Sequence, residues 1–152
     1  MKLLIFSDSH RSTSGMIEAI ETHHPDHVIH LGDLMSDAEE LSYIYPKLPM
    51  TIVPGNCDGW TAEPAKKQIS LAGQSILLSH GHLWLVKDTY THAIAEAHST
   101  NANILLFGHT HRPYCETLED GLLVMNPGAA HRHYGMILLE DGTISASLHS
   151  TF

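Results

Sequence analysis

The sequence has few of the features that mark secreted or membrane-spanning proteins. It contains two cysteines in 152 residues, neither in a CxxC pair, which predicts no disulfide framework and favours a reducing, cytoplasmic setting. No apolar run approaches the roughly 20 residues that a membrane helix needs, so no membrane contact is expected. The apolar stretch Leu3 to Phe6 is followed at once by Asp8 and His10, and we interpret it as a buried strand rather than a signal peptide.

Basic residues are also scarce. Eight lysines and arginines stand against 17 acids, and the net charge is −9. Such a surface repels long polyanions, and no basic run is present, so long nucleic acids are not expected as partners. The hydrophobic fraction of 43% and the length predict one globular domain over residues 1–152. A homo-oligomer is left open.

Histidine, by contrast, is abundant, with 14 residues. Because imidazole is the commonest metal ligand in proteins, this number raises a metal hypothesis without establishing it.

Hydrophobic periodicity predicts an α/β fold. In the first half, strands 2–7, 27–31 and 50–53 alternate with helices 14–24 and 36–45, and the second helix is expected to open with a Ser36/Glu39 capping box. This βαβαβ order implies a parallel sheet. The second half predicts a helix at 88–99 and a substantial antiparallel portion, with strands 68–71, 75–79, 103–107, 114–118, 122–125, 134–140 and 143–149.

Polar clusters follow five of these strands. They are Asp8-Ser9-His10, Gly32-Asp33, Gly55-Asn56-Cys57-Asp58, His80-Gly81-His82 and Gly108-His109-Thr110-His111. Ligands of open α/β sheets bind beyond the carboxyl ends of the strands, so these clusters are expected to converge on one site.

The residue types in these clusters suit divalent metal ions. Imidazole and carboxylate oxygen together favour manganese, iron, nickel, cobalt or zinc. A carboxylate can bridge two ions, and the amide of Asn56 can bind one without adding charge. Two carboxylates, Asp8 and Asp33, with two divalent ions would leave a net charge of about +2, which would attract a small phosphate ester.

In their order, the five clusters resemble the D-x-H, GD, GN[H/C][D/E], H and GHxH motifs of the calcineurin-like metallophosphoesterase superfamily. The GNCD variant, the His80-Gly81-His82 element and Asn126-Pro127-Gly128 resemble its small bacterial and archaeal phosphodiesterases. The resemblance implies a four-layer α/β/β/α sandwich of two mixed sheets and a phosphodiesterase that acts on a small phosphate ester.

The resemblance also implies a site with two divalent ions, manganese first and nickel, iron, cobalt, zinc or magnesium as alternatives. Asp33 would bridge the ions, and a water or hydroxide between them would be the nucleophile. The first ion would be held by Asp8, His10, Asp33 and His111, and the second by Asp33, Asn56, His80 and His109.

The roles of seven further positions are weighed separately. Many family members have histidine where Cys57 stands, and a thiol is a poorer acid for protonating a leaving oxygen. His82 is expected to line the pocket; the alternative is that it supports a metal ligand through a hydrogen bond. Asp58 is expected to orient its neighbours, and His30 to be a hydrogen-bonded core residue. His131, Arg132 and His133 do not match the family pattern; an exposed basic turn is the favoured interpretation.

Two other functions compete with catalysis. One is a non-catalytic interaction module, because the superfamily includes a retromer subunit of this fold with a degraded metal set. The other is a metal storage or structural protein, which would not need Asn56 or an open water position. Since every expected ligand position is filled, we expect an enzyme.

Overall fold

The apolar strands of the first half form a parallel sheet, as predicted, and two late strands extend it. The computed structural model describes residues 1–151. Its first sheet has the order β10-β9-β1-β2-β3. Strands β1, β2 and β3 are parallel to one another, and β9 pairs in antiparallel fashion with both β1 and β10. The strands of this sheet are β1 (Lys2–Phe6), β2 (His27–His30), β3 (Met50–Ile52), β9 (His133–Glu140) and β10 (Thr143–Ser150).

A second mixed sheet comes from the middle of the chain. Its order is β4-β5-β6-β8-β7, with β5, β6 and β8 parallel and the two edge strands antiparallel. The strands are β4 (Lys66–Leu71), β5 (Gln74–Ser79), β6 (Ile104–Leu106), β7 (Tyr114–Thr117) and β8 (Leu123–Asn126).

Three apolar layers hold the sheets and helices together. Alternate residues of β1 point to opposite faces, so Leu3 and Ile5 pack against the second sheet while Leu4 and Phe6 pack beneath the helices. The helices on that outer face are α1 (Ser14–His23) and α2 (Met35–Ile44). On the far side, α3 (Thr91–Ser99) covers the second sheet. The predicted α/β/β/α sandwich is therefore confirmed.

Most differences from the prediction lie at element ends. The predicted helix 88–99 begins at Thr91 instead. The preceding residues form a turn, in which Leu85 has a left-handed φ of 56° and its carbonyl oxygen accepts a hydrogen bond from the Asp88 N–H. A short 3₁₀ helix at His82–Trp84 was not predicted. Among residues 1–151, no helix has the length and apolar character that crossing a membrane requires.

The Ser36/Glu39 capping box was wrong. Helix α2 begins at Met35, with Leu34 in the cap position and no side-chain cap from that residue. The Asp58 carboxylate takes this place instead, because its Oδ1 accepts a hydrogen bond of 2.7 Å from the Met35 N–H. A distant anion at the positive end of the helix thus replaces the local cap.

The β4–β5 turn generates a stability prediction. Both turn residues have positive φ, 48° at Ala72 and 80° at Gly73, which is typical of a type I′ hairpin. Because the left-handed conformation costs an ordinary L-residue about 1–2 kcal/mol and costs Asn less, Ala72→Asn should stabilise the protein by about 1 kcal/mol. Urea unfolding measures the change. Gly73→Ala, the matched control, should destabilise although nothing lies within 4 Å of its new methyl group; an unchanged or lower stability of Ala72→Asn would contradict the prediction.

Candidate metal centre

The predicted polar clusters lie together at the carboxyl ends of strands from both sheets. Clusters from the first sheet follow β1, β2 and β3, and those from the second follow β5 and β6. Two groups of side chains place ligand atoms within 4.8 Å of one another: Asp8, His10 and His111 form one, and Asp8, Asp33 and His80 form the other. The face-to-face packing of the two sheets therefore brings the two halves of the site into contact.

Asp8 is the buried carboxylate at the centre of this arrangement, with no solvent exposure. Its Oδ2 accepts hydrogen bonds from the Ser7 hydroxyl at 2.6 Å and from the His109 N–H at 3.0 Å. Its Oδ1 is buried and has no hydrogen-bond partner among the described residues. A buried carboxylate oxygen without a partner is costly unless a cation compensates it.

Three imidazole nitrogens surround that unpartnered oxygen. The Nε2 atoms of His111, His80 and His10 lie 3.2, 3.7 and 4.0 Å from Asp8 Oδ1. His10 Nε2 and His111 Nε2 are 3.3 Å apart. Imidazole nitrogens and a carboxylate at these separations form a donor set that suits a divalent transition metal.

Asp33 and His80 form the second half of the site. Asp33 Oδ2 lies 3.4 Å from His80 Nε2, and Asp33 Oδ1 accepts a hydrogen bond of 2.9 Å from the Cys57 N–H. Burial raises the pKa of Asp33, but the hydrogen bonds from His80 and Cys57 outweigh burial and hold that pKa well below its usual value. Burial lowers the pKa of His80, yet the hydrogen bond to Asp33 and the charge of Asp8 bring a net rise.

His80 is oriented by the backbone. Its Nδ1 lies 2.8 Å from the Leu31 carbonyl oxygen, which can only accept a hydrogen bond, so Nδ1 carries the proton and a neutral ring leaves Nε2 free for a ligand. His109 Nδ1 is 3.1 Å from that Nε2. Burial lowers the pKa of His109, and the charges of His80 and Lys87 lower it further.

The loop after β3 contributes Asn56, Cys57 and Asp58. Asn56 is exposed and follows Gly55 directly. The exposed Cys57 thiol has a raised pKa, through a hydrogen bond to Asp33 and the negative charge of that residue. Further along the loop, Trp60 has a side chain that is 93% exposed.

Asp58 orients its neighbours, as predicted. Its Oδ2 accepts hydrogen bonds from the N–H groups of Gly55 at 2.7 Å and Asp33 at 3.1 Å, while Oδ1 caps α2. One carboxylate therefore positions the loop after β2, the loop after β3 and the start of a helix.

The backbone at the site is strained. Positive φ angles occur at five of the predicted ligands: Asp8 (54°), His10 (46°), Asp33 (44°), His109 (70°) and His111 (62°). Non-glycine residues in this region cost about 1–3 kcal/mol each and cluster at functional sites.

Two glycines let the site close up. A Cβ on Gly55 would overlap the Asp33 carboxylate and lie 2.7 Å from the Asp33 nitrogen. A Cβ on Gly108 would overlap the Ser7 hydroxyl and lie 2.8 Å from Asp8 Oδ2. Neither position can accept a side chain without moving a carboxylate of the site.

Several predicted residues lie at the edge of the site. The His82 ring lies 5.6 Å from that of His80 and 6.2 Å from that of His109, and its buried Nδ1 has no hydrogen-bond partner among residues 1–151. His30 is a core histidine as predicted, with its ring nitrogens 3.1 Å from Ser9 Oγ and 3.2 Å from the Gly32 nitrogen. His131 and Arg132 are exposed and directly precede β9, whose first residue is His133.

The supporting hydrogen bonds were missed by sequence reasoning. Three side chains were not predicted as parts of the site: those of Ser7, Asp37 and the buried Asn126. The Asp37 carboxylate accepts hydrogen bonds from Ser9 Oγ at 2.6 Å and from the Arg11 N–H at 2.7 Å. Asn126 Nδ2 donates to the Gly108 carbonyl and to Thr110 Oγ1 at 3.0 and 2.9 Å, which fixes the loop after β6. Of these residues, only Asn126 had a sequence signal, the Asn126-Pro127-Gly128 motif.

Comparison with solved structures supports this fold. A predicted phosphoesterase from Streptococcus pneumoniae is 24% identical with a TM-score of 0.80, covering 99% of this chain and 89% of its own. Vps29 from Entamoeba histolytica, solved in complex with zinc, is 20% identical with a TM-score of 0.75 and full coverage of both chains.

Comparison of sequences identifies the family. Residues 1–140 match the calcineurin-like phosphoesterase superfamily domain. The probable metallophosphoesterase YsnB of Bacillus subtilis is 34% identical over 136 residues, which cover 85% of this chain and 75% of YsnB. A probable metallophosphoesterase of Mycoplasma pneumoniae is 30% identical over 84% of this chain and 78% of its own. This agreement confirms the resemblance seen in the motifs, and the chain belongs to the calcineurin-like phosphoesterase superfamily.

Proposed function

We propose that this protein is a phosphodiesterase that depends on two divalent metal ions and hydrolyses a small phosphate ester. The observation that carries the proposal is the buried Asp8 Oδ1, which has no hydrogen-bond partner among the described residues and lies within 4.0 Å of three imidazole nitrogens. Family membership supports a metal-dependent phosphoesterase.

The proposed ligands of the first ion are Asp8, His10, Asp33 and His111, and those of the second are Asp33, Asn56, His80 and His109. In the described geometry the carboxylate common to both groups is that of Asp8. Manganese is the first candidate, with nickel, iron, cobalt, zinc and magnesium as alternatives; the Vps29 of E. histolytica was solved with zinc.

The chain's own groups aim these ligands. The Ser7 hydroxyl and the His109 N–H occupy one oxygen of Asp8, so the other faces the imidazoles. The Cys57 N–H holds Asp33, and the Leu31 carbonyl holds His80. Because three of these four partners are backbone groups, little reorganisation is needed when substrate binds.

In the proposed reaction, a water loses a proton to solvent, and its oxygen forms a bond to phosphorus. The bond from phosphorus to the leaving oxygen breaks, and that oxygen keeps the electron pair. When bound, two divalent ions would lower the pKa of the water and neutralise charge on the phosphate. Asp33, Asn56, Cys57 and His82 are the proposed residues at the reacting end, with His82 near the substrate and Cys57 without an essential acid role.

A protein-interaction module is the second candidate, favoured by the structural likeness to Vps29. That likeness, at 20% identity, concerns the fold. The filled set of ligand positions favours catalysis, and turnover of an activated diester distinguishes an enzyme from an interaction module.

A cytoplasmic location is proposed from the free thiols of Cys57 and Cys115. A homo-oligomer is compatible with this proposal.

Metal removal should abolish activity. After treatment with a chelator, turnover of bis(p-nitrophenyl) phosphate should fall to background and return when Mn²⁺ is added, because the buried carboxylate and imidazoles lose the cations they hold. Parallel additions of Ni²⁺, Co²⁺, Zn²⁺ and Mg²⁺ rank the metals. Undiminished turnover in protein shown by metal analysis to be free of metal would overturn the proposal.

Replacing the bridging carboxylate should cost more than replacing an outer ligand. We expect Asp33→Asn to lower kcat/KM by more than about 100-fold, which exceeds the usual loss when a residue that only hydrogen-bonds to a metal ligand is replaced. The metal content should also fall below two ions per chain. His10→Asn should cost less, because other ligands remain on that ion. Asp8→Asn is the decisive comparison: loss of both ions there, with two retained in Asp33→Asn, would assign the bridge to Asp8.

The Cys57 thiol should matter little for a good leaving group. An aryl oxide leaves without a proton, so Cys57→Ala should change kcat/KM on an aryl diester by less than about tenfold, well below the usual contribution of a general acid. Cys57→His should help an alkyl diester more than an aryl one. Both variants are measured with metal content verified, and a thousandfold loss in Cys57→Ala on the aryl ester would show that the thiol is catalytic.

A further inference from the structure

A cavity of about 520 Å³ borders the candidate metal centre on the side of the second sheet. It is lined by Val86, Lys87, Asp88, Thr89, Tyr90, Thr110 and Arg112. Thr110 lies between the two histidines of the loop after β6, and consecutive Cα atoms are only about 3.8 Å apart. The loop after β6 therefore contributes both to the proposed metal ligands and to the lining of this cavity, which places the two next to each other.

Two cations of the cavity have no acidic partner. Neither Lys87 nor Arg112 forms an ion pair within 4.0 Å in the described part of the chain. Lys66 and Lys67, by contrast, pair with Glu96 and Glu63 at 2.9 and 2.8 Å. Lys87 and Arg112 outnumber the one acidic residue of the cavity lining, Asp88, and make the cavity locally positive in a protein whose net charge is −9.

The adjoining helix adds to this potential. Helix α3 begins at Thr91, directly after the cavity residue Tyr90. Its first turn contains no acidic residue, and the side-chain acceptor at its start is the neutral Thr89 hydroxyl, 3.2 Å from the Thr91 nitrogen. The positive end of the helix dipole therefore reinforces the two cations, while the Asp88 carboxylate opposes them.

We infer that the preferred substrate is a phosphodiester that carries a second anionic group, and that Lys87 and Arg112 bind this group while the diester occupies the metal centre. The inference rests on the proposed function and specifies its substrate class. It also explains how a strongly acidic protein binds a ligand with two negative groups. The metal ions attract the diester, and Lys87 and Arg112 attract the second anionic group.

The test uses matched pairs of p-nitrophenyl alkyl phosphodiesters. The alkyl arm has two to six carbons and ends either in a phosphonate or in a methyl group, so the leaving group and the reacting phosphorus are the same in each pair. With metal-loaded protein, kcat/KM should be about tenfold higher for the phosphonate member at the best arm length, as expected for one charge-assisted hydrogen bond. This preference should decrease with added salt.

Variants assign the preference to the cavity. Lys87→Gln combined with Arg112→Gln should abolish the preference, because KM for the phosphonate ester should rise to the value for the methyl ester. Asp88→Asn should increase the preference. Lys47→Gln is the matched control, because Lys47 is exposed and has no ion pair within 4.0 Å among residues 1–151. It precedes the amino end of β3, whereas the site lies at the carboxyl ends of the strands.

The outcomes separate this inference from the proposed function. Absence of turnover on both members of every pair would contradict the phosphodiesterase itself. Normal turnover on the methyl esters without a preference for any phosphonate would overturn the second anion site alone. An equal loss of preference in Lys47→Gln would also overturn it, since the effect would then come from net charge.

Discussion

The metal centre depends on how one buried charge is accommodated. Asp8 lies at the end of β1 in the first sheet, and one of its two oxygens is held by the backbone of the loop that follows β6 in the second. The other oxygen faces the imidazole of His10 from the first sheet and those of His80 and His111 from the second. The packing of the sheets and the formation of the site are therefore one event, because moving either sheet would leave a carboxylate buried with fewer partners.

The surrounding backbone is consistent with this constraint. Five predicted ligands have left-handed φ angles, and two glycines next to them cannot accept a Cβ. Such conformations persist only where the rest of the structure holds them. The inter-sheet core and the hydrogen bonds of Asp58 supply that support, so the stable part of the fold compensates for the strain at its edge.

Much of this arrangement followed from the sequence, because strand periodicity and strand-end clusters are local patterns. The order of β1 to β3, both helical layers and the convergence of Asp8, Asp33 and His80 could all be predicted. The cap of α2 could not, since the anion that caps it comes from 23 residues away in the chain. The same holds for the hydrogen bond between His109 and Asp8, which joins residues 101 positions apart. Contacts of this kind arise from the packing of the two sheets and have no local signal.

Trp60, in the loop between β3 and β4, gives the site a fluorescent reporter. The chain has two tryptophans, and they differ sharply: Trp60 is 93% exposed, while Trp84 is 3% exposed beneath α3. Light emitted by the first comes from an indole in water, two residues beyond the carboxylate that ties the metal-site loops together. Light emitted by the second comes from the apolar interior of the second sheet. A water-soluble quencher reaches one and not the other, so the native fluorescence of the protein distinguishes events at the metal-site loop from loosening of the core.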